Sequence, residues 1–105
     1  MYPLNIIKGN ALNKGRARVW VESSKLVDYG FKRGELITIT HNADDITIRL
    51  DSNGKRKVAG RERDGKQIGI LDICYPLATR DAQFGGATKL LVEALFGVIR
   101  ITAIL

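Results

Sequence analysis

Ile46-Thr47-Ile48 and Ile99-Arg100-Ile101 each begin fifteen residues after a phenylalanine, Phe31 in the first case and Phe84 in the second. Both phenylalanines adjoin glycine, in Gly30-Phe31-Lys32-Arg33-Gly34 and in Phe84-Gly85-Gly86. Working outward, each is preceded by a short stretch with helix or cap residues, and before that by an apolar strand, Arg18-Val19-Trp20-Val21 or Ile68-Gly69-Ile70-Leu71-Asp72-Ile73. The chain therefore reads as a β-α-β-β unit stated twice: repeat one over 17–50, a basic linker over 51–67 and repeat two over 68–105, all in one domain. Alternation supports the strands. Ala17, Val19 and Val21 fall on one face and Arg16, Arg18, Trp20 and Glu22 on the other.

Ser23 or Ser24 caps a helix of about two turns, which Gly30 ends through its tolerance of positive φ. Residues 35–40 and 46–50 are rich in β-branched side chains and read as a hairpin around a polar loop that contains His41, Asp44 and Asp45. Asp51-Ser52-Asn53-Gly54 and Asp64-Gly65 are turns. Lys89-Leu90-Leu91-Val92-Glu93-Ala94-Leu95 has helix-forming composition, but it stands where a hairpin strand is due, with Gly97 as the tight turn, so it is assigned to a strand. A lone unit of this kind leaves strand edges open and has little core. Pairing the two units within one chain gives a mainly β fold with short helices, an intertwined pseudo-twofold barrel. Homodimerisation on top of that is compatible with the sequence.

The chain has 105 residues, 45% hydrophobic and 27% charged, which suits a globular domain with its own core. Its single cysteine cannot form an internal bridge, which points to a reducing compartment. The first residues lack a secretory pattern and no apolar run reaches membrane-spanning length, so a cytoplasmic protein with no membrane partner is expected. Net charge is +6. Lys55, Arg56, Lys57, Arg61, Arg63 and Lys66 lie between Gly54 and Lys66 against only Glu62 and Asp64, and a second group (Lys8, Lys14, Arg16, Arg18, Lys25) lies near the first strand. Charge concentrated in this way favours a polyanionic partner over general solubility.

Catalytic readings are weaker. His41 sits in a solvent-exposed loop whose acidic residues suit turn chemistry. Cys74 follows an apolar strand and reads as a buried, inert thiol. Gly60-Arg61-Glu62-Arg63-Asp64-Gly65-Lys66-Gln67 fails as a phosphate loop because Gln67 lacks the metal-binding hydroxyl and a strand follows. Glu62, Asp64 and Asp72 read as alternating charges of a solvated segment. No enzyme, metal site or cofactor is expected. For Trp20 burial by the second unit is favoured, the other reading being an aromatic platform between arginines for base stacking.

Arg18-Val19-Trp20-Val21-Glu22, Gly30-Phe31-Lys32-Arg33-Gly34, Gly69-Ile70-Leu71-Asp72-Ile73 and the run from Ile46-Thr47-Ile48 through Lys55-Arg56-Lys57 to Gly60 resemble the swapped-hairpin fold of AbrB-type and SymE-type proteins. More narrowly, the chain resembles the N-terminal accessory domain of some phage-type DNA cytosine methyltransferases, and the likeness spans nearly all of it. The resemblance implies an intertwined β domain, DNA-binding or regulatory, of phage or mobile-element origin. The leading expectation is a nucleic-acid-binding regulatory module, DNA before RNA, with Arg16, Arg18, Lys55, Arg56, Lys57, Arg61 and Arg63 on phosphates and Trp20 as an aromatic contact. Its rivals are a protein-binding anti-defence inhibitor that docks on an acidic surface, and a SymE-like nuclease by analogy of fold.

Overall fold

Ile46 and Ile48 on one strand lie opposite Ile101 and Ile99 on its neighbour, and period-two alternation turns all four side chains inward. In the computed structural model, which describes residues 1–105, this pair of strands forms the middle of a six-stranded sheet. The strands are β1 (Tyr2–Lys8), β2 (Leu12–Asn13), β3 (Arg16–Ser23), β4 (Leu36–His41), β5 (Asp45–Leu50), β6 (Arg56–Lys57), β7 (Ala59–Arg63), β8 (Lys66–Tyr75), β9 (Lys89–Leu95) and β10 (Val98–Ile104). Two helices, α1 (Lys25–Asp28) and α2 (Leu77–Phe84), follow β3 and β8. The larger sheet has the order β1-β9-β10-β5-β4-β6, and a four-stranded sheet has the order β2-β3-β8-β7. The protein is mainly β, and its strand pairs are all antiparallel.

The core lies between the inner faces of the two sheets. Val19, Val21, Leu71 and Ile73 of the smaller sheet join Ile46, Ile48, Val92, Ile99 and Ile101 of the larger one in a single apolar cluster. Leu26, Phe31 and Phe84 contribute to the same cluster from α1, the loop after it and α2. The order β-α-β-β occurs over β3-α1-β4-β5 and again over β8-α2-β9-β10. Each sheet takes strands from both segments, because β3 pairs with β8 and β5 pairs with β10.

The helices tie these segments crosswise. The Tyr29 carbonyl after α1 accepts a 2.9 Å hydrogen bond from the Gly97 amide in the β9–β10 turn. Gln83 of α2 donates from Nε2 to the Asn42 and Asp45 carbonyls of the β4–β5 hairpin, at 3.0 and 3.1 Å. Gly30 is required at the first of these junctions. Its φ is +91°, and a Cβ there would stand 2.7 Å from Leu50 Cδ1 and 3.0 Å from Phe96 Cζ.

The hairpin over 35–50, both glycine turns and the strand assignment of β9 agree with the sequence expectations. Alternation explains β9: Leu90, Val92 and Ala94 are buried, and the strand is hydrogen-bonded on both sides, by β1 and β10. Two expectations are corrected. Residues 51–67 are not a free linker, because β6 pairs with β4 and β7 forms a hairpin with β8 around Asp64-Gly65. The first helix is a single turn, and its Ser24 makes no side-chain cap, although Ser23 Oγ accepts from the Lys25 amide. The segment before Arg16, outside both repeats, supplies β1 and β2. No helix is long and apolar enough to cross a membrane.

Ile99 is fully buried whereas Ile104, at the end of the same strand, is 38% exposed. Ile99→Ala is expected to cost about 2–5 kcal/mol of unfolding free energy, and Ile104→Ala much less. Urea denaturation of both variants checks this, and equal losses would contradict the placement of the core.

Candidate nucleic-acid interface

The strand β3 faces two ways. Ala17, Val19 and Val21 are in the core, so Arg18, Trp20 and Glu22 occupy the outward face of the smaller sheet. Cross-strand register then sets their neighbours: Arg18 lies opposite Cys74, and Trp20 opposite Asp72. Arg18 forms a two-pronged contact with Asp72, Nε to Oδ1 at 3.0 Å and the second nitrogen to Oδ2 at 3.1 Å. Its guanidinium also stands 4.5 Å from the centre of the Trp20 ring. The hydrogen bond to Asp72 raises the Arg18 pKa above its ordinary value, which keeps the cation in place.

On β7, Arg61 and Arg63 share a face by alternation, and Arg61 forms an ion pair with Glu22 on β3. Arg16 starts β3, exposed, on the side of Arg18. Lys55 and Arg56 stand beside this sheet, where the Arg56 guanidinium donates to the Asp72 carbonyl at 3.1 Å and ties β6 to β8. Lys57 pairs with Leu36 and alternates away from Arg56. Of the seven cations expected to touch phosphate, the fold thus gathers Arg16, Arg18, Arg61 and Arg63 on one sheet face with Lys55 and Arg56 at its border. Lys57 is set apart. Arg18 and Arg61 are engaged with carboxylates, whereas Arg16, Lys55, Arg56, Lys57 and Arg63 enter no ion pair.

Trp20 is not buried by the second unit, contrary to the favoured expectation; it is 39% exposed. The second unit contributes β8 beside β3 within the same sheet and does not lie across it. The ring borders a groove of about 320 Å³ between β3 and the edge strand β1, where Ile6, Ile7 and Lys8 line the other side.

His41 is solvent-exposed, as expected, but it lies in a strand and not in the hairpin loop. It closes β4, and its ring packs 4.6 Å from that of Tyr75, with Nδ1 3.5 Å from Gln83 Nε2. Partial burial moves its pKa below the ordinary 6.5, opposed by the hydrogen bond with Gln83. Burial pushes the Tyr75 hydroxyl up to about 12. Asp45 is held ionised mainly by Asn42, then by Thr47 and Arg100. Cys74 is partly exposed, not sealed in the core, and its sulfur lies 3.5 Å from Asn13 Nδ2. No three carboxylate, thiol or imidazole groups converge as a metal-binding cluster. Glu62, Asp64 and Asp72 belong to different arrangements: β7, its turn and the Arg18 pair.

Asp72 and Glu22 were missed as members of the site. The alternating pattern of β3 and β8 places both on the outward face, but only the register of the two strands reveals which arginine each meets. Comparison with protein-family models, with curated proteins and with solved structures finds no match for the chain.

A histidine whose folded pKa is depressed binds its proton more readily in the unfolded chain, so its contribution is present above pH 6.5 and fades as pH falls through the folded pKa. The urea midpoint is expected to fall between pH 7.5 and pH 5.5, and His41→Gln should flatten that decline. An equally steep decline in the variant would remove His41 as its cause.

Proposed function

We propose that the protein is a small nucleic-acid-binding module of regulatory type, with duplex DNA as its first partner. The observation that carries this reading is a half-exposed Trp20 on the same sheet face as Arg16 and Arg63, two cations that no carboxylate neutralises. Lysine and arginine on such a surface displace counterions from a phosphate backbone, and an exposed indole offers a stacking plane that tolerates any base. Arg18 serves this arrangement indirectly: held by Asp72, it braces the ring it lies over. The resemblance to phage-type methyltransferase accessory domains supports DNA and a phage or mobile-element origin.

The same proposal includes the architecture. Two β-α-β-β copies related by a pseudo-twofold would exchange hairpins to close an AbrB-like barrel. Register supports this. An offset of 53 residues carries Ile46 to Ile99 and Ile48 to Ile101, and the observed pairs are Ile46 with Ile101 and Ile48 with Ile99. An offset of 52 carries Val19 to Leu71 and Val21 to Ile73, and Val19 pairs with Ile73 while Val21 pairs with Leu71. With these offsets the dyad passes through the Thr47–Arg100 and Trp20–Asp72 pairs, each at the middle of its ladder. The crosswise ties from Tyr29 and Gln83 have the same sense.

A second reading, a protein-binding inhibitor that covers an acidic surface, draws support from a different place. Phe96 is 74% exposed in the β9–β10 turn, with exposed Leu95 beside it and Tyr2 opposite Ala94 on the next strand. Apolar side chains grouped at one end of a sheet are a feature of protein contacts more than of phosphate contacts.

Titration of Trp20 fluorescence with duplex DNA, single-stranded DNA and RNA separates the readings. The four unpaired cations on and beside this face, Arg16, Lys55, Arg56 and Arg63, are expected to give a log–log salt slope of about −3.6 on duplex. Arg16→Ala combined with Arg63→Ala should bring it to about −1.8, at about 0.9 for each phosphate contact. Glu22→Gln frees Arg61 and should steepen the slope by about 0.9. Association that ignores salt, or none at low salt, would favour the protein-binding reading.

A further inference from the structure

A cleft of about 410 Å³ lies where the edge of the larger sheet meets the end of β8, and the interface proposed above borders it at Arg56 and Cys74. Its floor is apolar: Ile39 of β4 is partly exposed there, and Ile37 and Ile73 are packed almost sealed beneath it. Lys55 and Arg56 line one part of it, His41 and Cys74 another. No aspartate or glutamate lines it. An apolar floor beside two cations, with an imidazole ring at the other wall and no carboxylate to repel an anion, fits a ligand that has an aromatic ring at one end and a phosphate at the other. The volume falls within the range of about 300–1,000 Å³ typical of small-ligand pockets.

The cationic wall is held in place before any ligand arrives. The turn that leads into Lys55 is fixed by Asp51, whose Oδ2 accepts from Thr38 Oγ1 at 2.7 Å and whose Oδ1 accepts from the Asn53 amide at 2.9 Å. The Gly54 amide donates to the Asp51 carbonyl at 2.8 Å. Gly54 also rests directly on β4, since a Cβ there would stand 2.3 Å from the Ile37 carbonyl oxygen. Asp51 thereby spends its charge on the turn and is absent from the cleft. Arg56 uses one guanidinium nitrogen on the Asp72 carbonyl, which leaves further donors for a phosphate. Such a prebuilt wall lowers the ordering cost of binding. At the other wall, His41 presents a ring backed by Tyr75, and Asn53 supplies an amide with both a donor and an acceptor for a ring edge.

We infer that this cleft is a nucleoside-phosphate site, in which the base lies over Ile39 and beside His41 and the phosphate meets Lys55 and Arg56. The occupant is either a free nucleotide or an unstacked nucleotide of a bound single strand; the second case rests on the nucleic-acid reading and deepens it. Blunt duplex, whose bases are stacked and paired, leaves the cleft empty.

Cys74 is the one thiol of the chain and borders the cleft from the outward face beside Arg18, so its alkylation by iodoacetamide is a first readout of occupancy. With the full chain, saturating AMP or CMP is expected to slow Cys74 alkylation at least fivefold, and inorganic phosphate at the same concentration less than twofold. Lys55→Glu should raise the nucleotide concentration needed for half-protection at least tenfold, while Lys89→Ala, outside both sites, leaves it unchanged. Methyl chemical shifts of Ile37 and Ile39 provide a second readout that does not depend on thiol reactivity. Protection by a dT12 strand identifies the strand as a source, and protection by mononucleotide alone identifies the free nucleotide. The site is overturned if neither mononucleotide nor strand changes the alkylation rate or those shifts, or if phosphate alone protects as well as AMP. Salt-dependent duplex binding with an unprotected Cys74 would leave the interface standing without the site. Nucleotide protection without duplex binding would do the reverse.

Discussion

The antiparallel pairing of β5 with β10 is the constraint on which the remainder of the structure depends. It joins two hairpins that are remote in sequence, and it buries Ile46, Ile48, Ile99 and Ile101 on one side of the sheet. Because the side-chain period is two, a slip by one residue on either strand would turn its isoleucines outward and bring Arg100, Thr47 or Arg49 into the core. The smaller sheet repeats this dependence through β3 and β8, where Val19 and Val21 meet Ile73 and Leu71. Once both pairings are in register, the helices have one place to dock, and Gln83 and Tyr29 reach the hairpins of the opposite segment.

The same alternation that fills the core distributes the charge. Every inward residue on β3 obliges its neighbours outward, which lines up Arg18, Trp20 and Glu22 against Asp72 and Arg61. The two exposed ion pairs contribute little to stability, because solvent screens them. Their larger effect is on order: Arg18 is fixed against the indole, and two carboxylates are neutralised where they would otherwise repel a polyanion. The net excess of cations on this surface is therefore smaller than a count of lysines and arginines suggests, and its geometry is better defined.

Much of the fold is legible in the sequence, and the failures have identifiable causes. β9 has helix-forming side chains, yet its alternation of Leu90, Val92 and Ala94 with outward residues and its place before Gly97 mark it as a strand. The β7 strand, Ala59-Gly60-Arg61-Glu62-Arg63, shows no apolar alternation and reads as solvated linker; it pairs because β8 is ten residues long and Asp64-Gly65 folds the chain back onto it. For the candidate site, the cations and Trp20 are visible as a cluster of residue types. Their pairing is not, since Arg18 and Asp72 are 54 residues apart and meet only through the register of β3 on β8. The cleft beside β4 was invisible for a similar reason: β4, the 51–54 turn and β8 come together only where two sheets meet.

The place of β1 has a consequence for the order in which the chain can assemble. Its only sheet partner is β9, which lies more than eighty residues later. The entropy of closing so long a loop must be overcome before the first of its hydrogen bonds forms. Tyr2–Lys8 is synthesised well before Lys89–Leu95, so its pairing waits for that later strand. The larger sheet is completed late, and until then β1 has an edge available to other partners.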